Sequence, residues 1–288
     1  MRDIVKNKLK ETAMHVVFFL TACVSIAAVL IICIYLLGNG IPTIAEIGLE
    51  NFFGLTWKPS KDLYGIVPFI VGSIYVTAGA IVVGVPIGIL CAVYLAYFCP
   101  KKLYKILNPA VRLMAGIPSI VYGFFGLMVI VPVIQQLTGT SGKGLLTASL
   151  LLGIMILPTI IGTAEPALRA VPSSYYEGAL ALGATHERST FSVVLPAAKS
   201  GVMSGVILGV GRAIGETMAV IMIAGNQTKM PGGLLDGLRT MTSNIVLEMG
   251  YSTGLHRRAL IATGVVLFVF ILIINVCFSL IKRGDKAS

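Results

Sequence analysis

Four stretches without a charged side chain, 63–100, 113–142, 144–164 and 259–281, constrain this sequence more than any other feature. Each can cross a bilayer as a helix, which takes about 20 apolar residues. In lipid the backbone must satisfy its own polar groups, so such stretches become helices. Two further runs behave alike: 13–45 is uncharged apart from His15, and 200–228 contains only Arg212 and Glu216. The charged fraction is 12% against 56% hydrophobic, far from the balance of a soluble domain. The expectation is an all-α polytopic membrane protein with six transmembrane helices.

Lys and Arg fix the orientation. With the N-terminus inside, the segments 1–13, 98–112, 164–199 and 282–288 carry fourteen of them and the opposite segments seven, which places both termini in the cytoplasm. Arg257-Arg258, at the outer start of the last span, runs against the trend. Most of the net charge of +10 is thus topological, and nucleic acid is not an expected partner.

The chain divides into a cytoplasmic N-terminus (1–13), a first transmembrane helix (14–37), an extracytoplasmic segment (38–66), a core of five further helices (67–281) and a cytoplasmic C-terminus (282–288). Met14 to Leu37 exceeds the apolar part of a signal peptide and no small-residue cleavage site follows, so the first span is expected to stay. The segment 38–66 holds the only Trp, Trp57, and its amphipathic middle is expected at the outer surface. Span 2 is expected over Val67 to Phe98, followed by a basic cytoplasmic loop, "PKKLYK". Span 3 is expected over Leu113 to Ile134 and span 4 over Leu145 to Ala164, joined by an outer turn, "TGTSGKG".

Several chemistries are excluded. Cys23, Cys33, Cys91, Cys99 and Cys277 lie in or beside spans without CxxC spacing, and read as small apolar residues. His15, His186 and His256 are scattered, so no metal constellation is expected. The Gly142-Lys143 pair is followed by Gly144 where a P-loop needs Ser or Thr. The chain therefore holds no ATP of its own, and transport driven by ATP would need a partner subunit to hydrolyse it.

The longest cytoplasmic loop, 165–199, alternates in polarity with helical spacing in two short pieces. Pro172 opens the first, and Ser174 with Glu177 has the spacing of a capping box. Gly183 breaks it, and Thr185 caps a second piece expected to stop before Pro196. Ala179, Leu180, Leu182, Phe191, Val193 and Val194 form more apolar surface than so short a segment buries alone. It is a surface for headgroups or for a cytoplasmic partner.

The fifth span, "VILGVGRAIGETMAVIMIAGN" (206–226), carries opposite charges four residues apart. On one continuous helix at about 100° per residue, Gly201, Gly205, Gly209, Arg212, Glu216 and Asn226 share a face, and Val202, Val206, Val210, Met218, Val220 and Ile221 form the opposite one. Small residues at spacing four allow close helix approach. A charge at the bilayer centre costs about 2.5–3.5 kcal/mol, so lipid exposure is excluded. Either the two form a structural ion pair, or they line a substrate path. In the second case Arg212 offers up to about five donors to an oxyanion, Glu216 neutralises it while the path is empty, and a carboxylate that accepts a hydroxyl favours protonated phosphate over sulfate. Ser73, Thr77 and Ser119 are weaker candidates for hydroxyls on that path, because such side chains commonly bond their own helix.

Glu177-Gly178-Ala179, three residues, Gly183, nine residues, Val193, one residue and Leu195-Pro196 resemble the signature loop of ABC-importer permeases, with Gly178 and Val193 departing from the Ala and Ile of that pattern. The resemblance implies the type I importer permease fold and an ATPase docking surface at Glu177, Gly178, Ala179, Gly183 and Ala184. "MAGIPSIVYGFFGL" (114–127), "EGALALGATHERSTFSVVLPAA" (177–198) and "LGVGRAIGETMAVIMIAGN" (208–226) are similar to permeases of the phosphate-specific transport (Pst) system, of the PstC type. That family implies inorganic phosphate as substrate, with Arg212 and Glu216 important for its passage. The implied partners are a PstA-like second permease, a PstB-like ATPase dimer holding ATP and magnesium, a PstS-like binding protein and membrane lipid. Permeases for sulfate, molybdate or phosphonate, a proton-coupled secondary transporter, and a structural or signalling subunit are the rival readings.

Overall fold

The computed structural model describes residues 2–284, with side chains at Glu11 and from 13 to 277. Of the expected cytoplasmic tails, Met1 and 285–288 lie outside the described residues. The first helix, α1 (Arg2–Ile47), runs ten residues past the expected end of span 1. Its outer end lies against the last helix, α14 (Gly254–Gly284), where Gly40 meets Ala262 and Val265. Arg258 makes a bidentate ion pair with Glu46, one bond at 2.9 Å. That pair accounts for an outer arginine the charge rule disfavours.

Between α1 and the second span lies a cap: a one-turn helix, α2 (Leu49–Phe52), and an antiparallel ribbon of β1 (Trp57–Lys58) and β2 (Leu63–Tyr64). Trp57 is 4% exposed. Its indole N–H donates to Glu248 at 2.9 Å, and Arg239 and His256 bind the same carboxylate. A buried charge is tolerated when it is paired and hydrogen-bonded on each side.

The core is built by α3 (Val67–Val93), α7 (Leu145–Arg169) and α11 (Lys199–Gly215). Val76 and Ala80 of α3, Leu151, Met155, Ile156 and Ile160 of α7 and Ala213 of α11 form one apolar cluster. Gly84 lets α3 approach α7 closely, since a Cβ there would lie 2.6 Å from the Gly153 carbonyl oxygen. The expected glycine face of α11 meets α7: a Cβ on Gly205 would sit 3.1 Å from both the Ile160 carbonyl oxygen and Thr163 Cβ. Val206 and Val210, on the far side, pack with α3 and α14. Gly205→Leu is therefore expected to destabilise the chain by about 1–3 kcal/mol through overpacking, read as lower recovery of intact complex from detergent. An intact complex with altered substrate preference would contradict that placement.

Two connections differ from expectation. Residues 101–116 form an amphipathic helix, α4 (Lys101–Gly116), instead of a loop running into span 3. Tyr104, Leu107, Asn108, Val111 and Met114 recur at helical spacing as its half-buried side. Pro118 then disfavours helical continuation, and span 3 starts at α5 (Ser119–Phe125), continuing through a π-turn at 126–130 into α6 (Val131–Thr138). The outer turn to α7 uses positive φ at Gly139 and Gly142, and its Gly144 N–H donates to Ile223 at 3.1 Å.

Candidate substrate path and docking loop

Span 5 is not one helix. The backbone leaves helical geometry at Glu216 (φ −69, ψ 131), and a short helix, α12 (Met218–Ile223), begins two residues later. The continuous wheel therefore fails beyond Gly215, and Asn226, at φ +50, stands outside any helix. Among the described residues Arg212 and Glu216 make no ion pair. Glu216 Oε1 instead accepts the N–H groups of Thr217 and Ala219, each at 3.1 Å. It thus caps α12, satisfying a donor that every helix start leaves open. Arg212 lies in the last turn of α11. Each charge sits at the helix end whose dipole favours it, so neither needs the other.

Loss of this cap is expected to cost about 1 kcal/mol. Glu216→Ala should lower the Tm of the solubilised complex by about 2–4 °C, whereas Glu216→Gln, which keeps an acceptor oxygen, should lose less. An unchanged Tm in the alanine variant would count against the cap. Glu216 is further fixed through its carbonyl, which accepts the Thr242 hydroxyl at 3.2 Å. Thr242 belongs to α13 (Met241–Met249), a short helix of the outer half.

Arg212 is half-buried, and its Nη1 donates to Thr159 Oγ1 of α7 at 3.3 Å. Among the described residues this is its one hydrogen bond. Gly211 and Gly215 flank it with open space where side chains would be. A guanidinium with most donors unused, on an open stripe beside exposed Leu208, cannot face lipid.

The hydroxyl candidates separate. Ser73 is buried; its hydroxyl donates to Phe69 O at 2.9 Å and accepts the Met241 N–H at 3.0 Å. It joins α3 to α13. Thr77 is buried one turn further along α3. Ser119 is half-buried at the first turn of α5. The hydroxyl bonded to Arg212 is that of Thr159, which sequence reasoning missed because the wheel of span 5 says nothing of its neighbour.

The cytoplasmic loop forms two helical pieces turned at Gly183. The first is α8 (Ser173–Ala181), with Pro172 in the cap position; the expected Ser174 capping box does not form, because the helix starts two residues earlier. Gly183 has φ +86, the left-handed region that glycine reaches without strain, and the Ala184 N–H closes back on Ala179 O at 3.1 Å. Thr185 caps α9 (His186–Ser189) by accepting the Arg188 N–H, as expected. The Glu187 carboxyl is held below the usual carboxylate range by its own backbone N–H and by the Thr185 hydroxyl.

The second piece does not stop before Pro196. A π-turn at 190–194 leads into α10 (Leu195–Ala197), which absorbs the proline in its first turn. The chain then bends by 73° into α11. Glu177, Gly178, Leu180, Leu182 and Phe191 are exposed, Leu182 at 91%. Val194 is instead fully buried against Ala92, Val93, Ala164 and Leu168. Tyr176 bonds His186, whose ring lies tilted against Phe98 at 4.4 Å, so the loop is tied to the π-turn 94–98 that follows α3.

Among the described residues five helices are long and apolar enough to span a membrane, and six if the bent pair 186–197 and 199–215 counts as one span. With a built cytoplasmic loop and an arginine without an ion pair on an open stripe, they define a multi-pass permease of the cytoplasmic membrane. The chain belongs to the family described as "Binding-protein-dependent transport system inner membrane component", matched over residues 84–284. It is 37% identical over 281 residues to "Probable ABC transporter permease protein YqgH" of Bacillus subtilis, covering 93% of this chain and 91% of the relative. To the phosphate transport system permease protein PstC of Mesorhizobium japonicum it is 33% identical over 276 residues, covering 88% and 84%. The fold matches the inward-facing MetNI methionine ABC transporter with a TM-score of 0.57 at 23% identity, covering 80% of this chain and 99% of that one.

Proposed function

We propose that this chain is the transmembrane permease subunit of an ATP-driven importer of inorganic phosphate, working by alternating access. The observation that carries the reading is Arg212: a permanent cation bonded only to Thr159 among the described residues, on the open side of a span that otherwise packs in the core. A guanidinium binds tetrahedral oxyanions through parallel N–H donors and never deprotonates. The PstC relatives supply the substrate. Glu216 supports this site by holding the break after Gly215 and leaving Arg212 unneutralised, a different role from the counter-ion that the sequence suggested.

The partners follow from the same reading. A PstB-like ATPase dimer binds ATP and magnesium and docks at Glu177, Gly178, Ala179, Gly183 and Ala184; a PstA-like permease completes the path; a PstS-like protein delivers phosphate. Closure of the ATPases moves the docking loop, and the helices rock to expose Arg212 outward and then inward. Ser73 holds α3 to α13.

The test is uptake of labelled phosphate, with excess sulfate, by cells lacking other phosphate transporters and expressing this chain with its partners. Uptake that resists sulfate is expected. Uptake abolished by sulfate would give the path to another oxyanion, and uptake that persists with an inactive ATPase would make the chain part of a secondary transporter.

A further inference from the structure

Below Arg212, towards the cytoplasm, α4 and α7 flank a partly open cavity of about 250 Å³ lined by Asn108, Pro158 and Glu165 and, at its exposed rim, by Arg112, Gly162 and Pro166. At about 30 Å³ per water, it has room for a small anion and part of its hydration. Thr159, the partner of Arg212, adjoins Pro158, and Thr159, Gly162 and Pro166 follow at spacings of three and four along one open ribbon of α7. The ribbon therefore leads about 10 Å from Arg212 into this cavity.

The cavity carries a positive charge in use by nothing else. Arg112 Nε donates to Asn108 Oδ1 at 3.2 Å, and Asn108 Nδ2 donates to Tyr104 Oη at 2.7 Å. These bonds fix the guanidinium, while among the described residues its Nη groups have no partner. The one carboxylate on the wall, Glu165, is already engaged: it accepts the Tyr104 hydroxyl at 3.0 Å and is paired with Arg169. Arg169 is turned away to Leu95 O at 2.7 Å. With Glu165 neutralised by Arg169 from outside the lining, Arg112 is left as the unpaired charge on this wall.

We propose that this cavity is a second anion station, where Arg112 and Asn108 receive the transported oxyanion from Arg212 before its release to the cytoplasm. The inference rests on the import reading given above. Arg212 at the Thr159 end of the ribbon and Arg112 on the cavity wall let the anion leave the first cation without entering an uncompensated apolar stretch. Gly162, where a Cβ would meet nothing within 4 Å, keeps the ribbon open between them.

The test uses the whole complex, free of nucleotide, in phosphatidylcholine nanodiscs, with the five native cysteines replaced by alanine and Gly162→Cys added. Labelling rates are compared for an anionic and a cationic methanethiosulfonate reagent, each normalised to a free thiol. The anionic reagent is expected to be preferred, and Arg112→Gln to reduce the preference about tenfold. Inorganic phosphate should slow labelling in the Arg112 form alone. In cells, Arg112→Gln should lower initial phosphate uptake about tenfold at unchanged complex yield, with Arg112→Lys regaining part of it.

A preference that Arg112→Gln leaves unchanged overturns the station whichever anion is carried. So does protection that needs phosphatidylglycerol instead of free phosphate, because Arg112 then holds a lipid headgroup. Wild-type uptake by Arg112→Gln overturns it too. If the wild type fails to import phosphate while the Arg112-dependent preference stands, the station holds and the assigned substrate fails.

Discussion

Arg212→Gln is expected to reduce phosphate uptake by the assembled complex about ten- to a hundredfold, the equivalent of the 1.5–3 kcal/mol that a hydrogen bond to a charged group contributes. The substitution keeps a polar side chain but removes the charge and the reach of the guanidinium. Assembly should survive, since among the described residues the guanidinium makes one 3.3 Å bond to Thr159 and no ion pair. The helix-end dipole contributes about 0.3–1 kcal/mol at most exposed sites, too little to unfold the span. Arg212→Lys should fall between, because an ammonium retains the charge without the planar fork. Normal transport by an assembled Arg212→Gln complex would make Arg212 a structural residue and move the substrate site elsewhere.

Much of the architecture could be read from single residues. The charge-free runs located the apolar helices, the glycines at 201, 205 and 209 foretold the face of α11 that meets α7, and Gly183 marked the turn of the cytoplasmic loop. These features are local or periodic. Glu216 is the instructive failure. Periodicity runs through it without interruption, yet the sequence around it also has the form of a helix start: Gly215, then Glu216-Thr217, then six apolar residues. Two readings competed, and a distant contact supports the break, because Thr242 holds the Glu216 carbonyl from a segment 26 residues away.

The same limit applies at both membrane surfaces. Nothing near Trp57 announces Glu248, its partner across 191 positions. Nor does the sequence near Arg258 announce Glu46. Such pairs depend on how helices are brought together, and one chain without its relatives carries no record of that. For α4 the signal was present in the spacing of Tyr104, Leu107, Asn108, Val111 and Met114, but the cluster of lysines beside it was read as a loop. Arg112 was therefore counted only as topological charge.

Gly183→Pro is the substitution expected to separate transport from membrane assembly. At φ +86 the position is closed to proline, whose ring fixes φ near −65°, and the change also removes the N–H that donates to Leu180 O at 2.9 Å. The penalty is about 3 kcal/mol or more, concentrated in a loop whose exposed residues pack against little else. Val194, Tyr176 and His186 hold the rest of the loop to the inner ends of α3 and α7. The spans should therefore still assemble, while the mutual angle of α8 and α9 changes. The ATPase should be lost on purification and uptake should fall to background. Gly183→Ala keeps the N–H and meets no neighbour within 4 Å; its cost is the left-handed backbone alone, about 1–2 kcal/mol. It should retain bound ATPase and a measurable part of transport. If the proline variant binds ATPase and transports normally, the turn at Gly183 does not shape the docking surface. If both variants lose the ATPase equally, the loop tolerates no left-handed strain at all, and docking depends on the rigidity of this one residue more than on the apolar side chains around it.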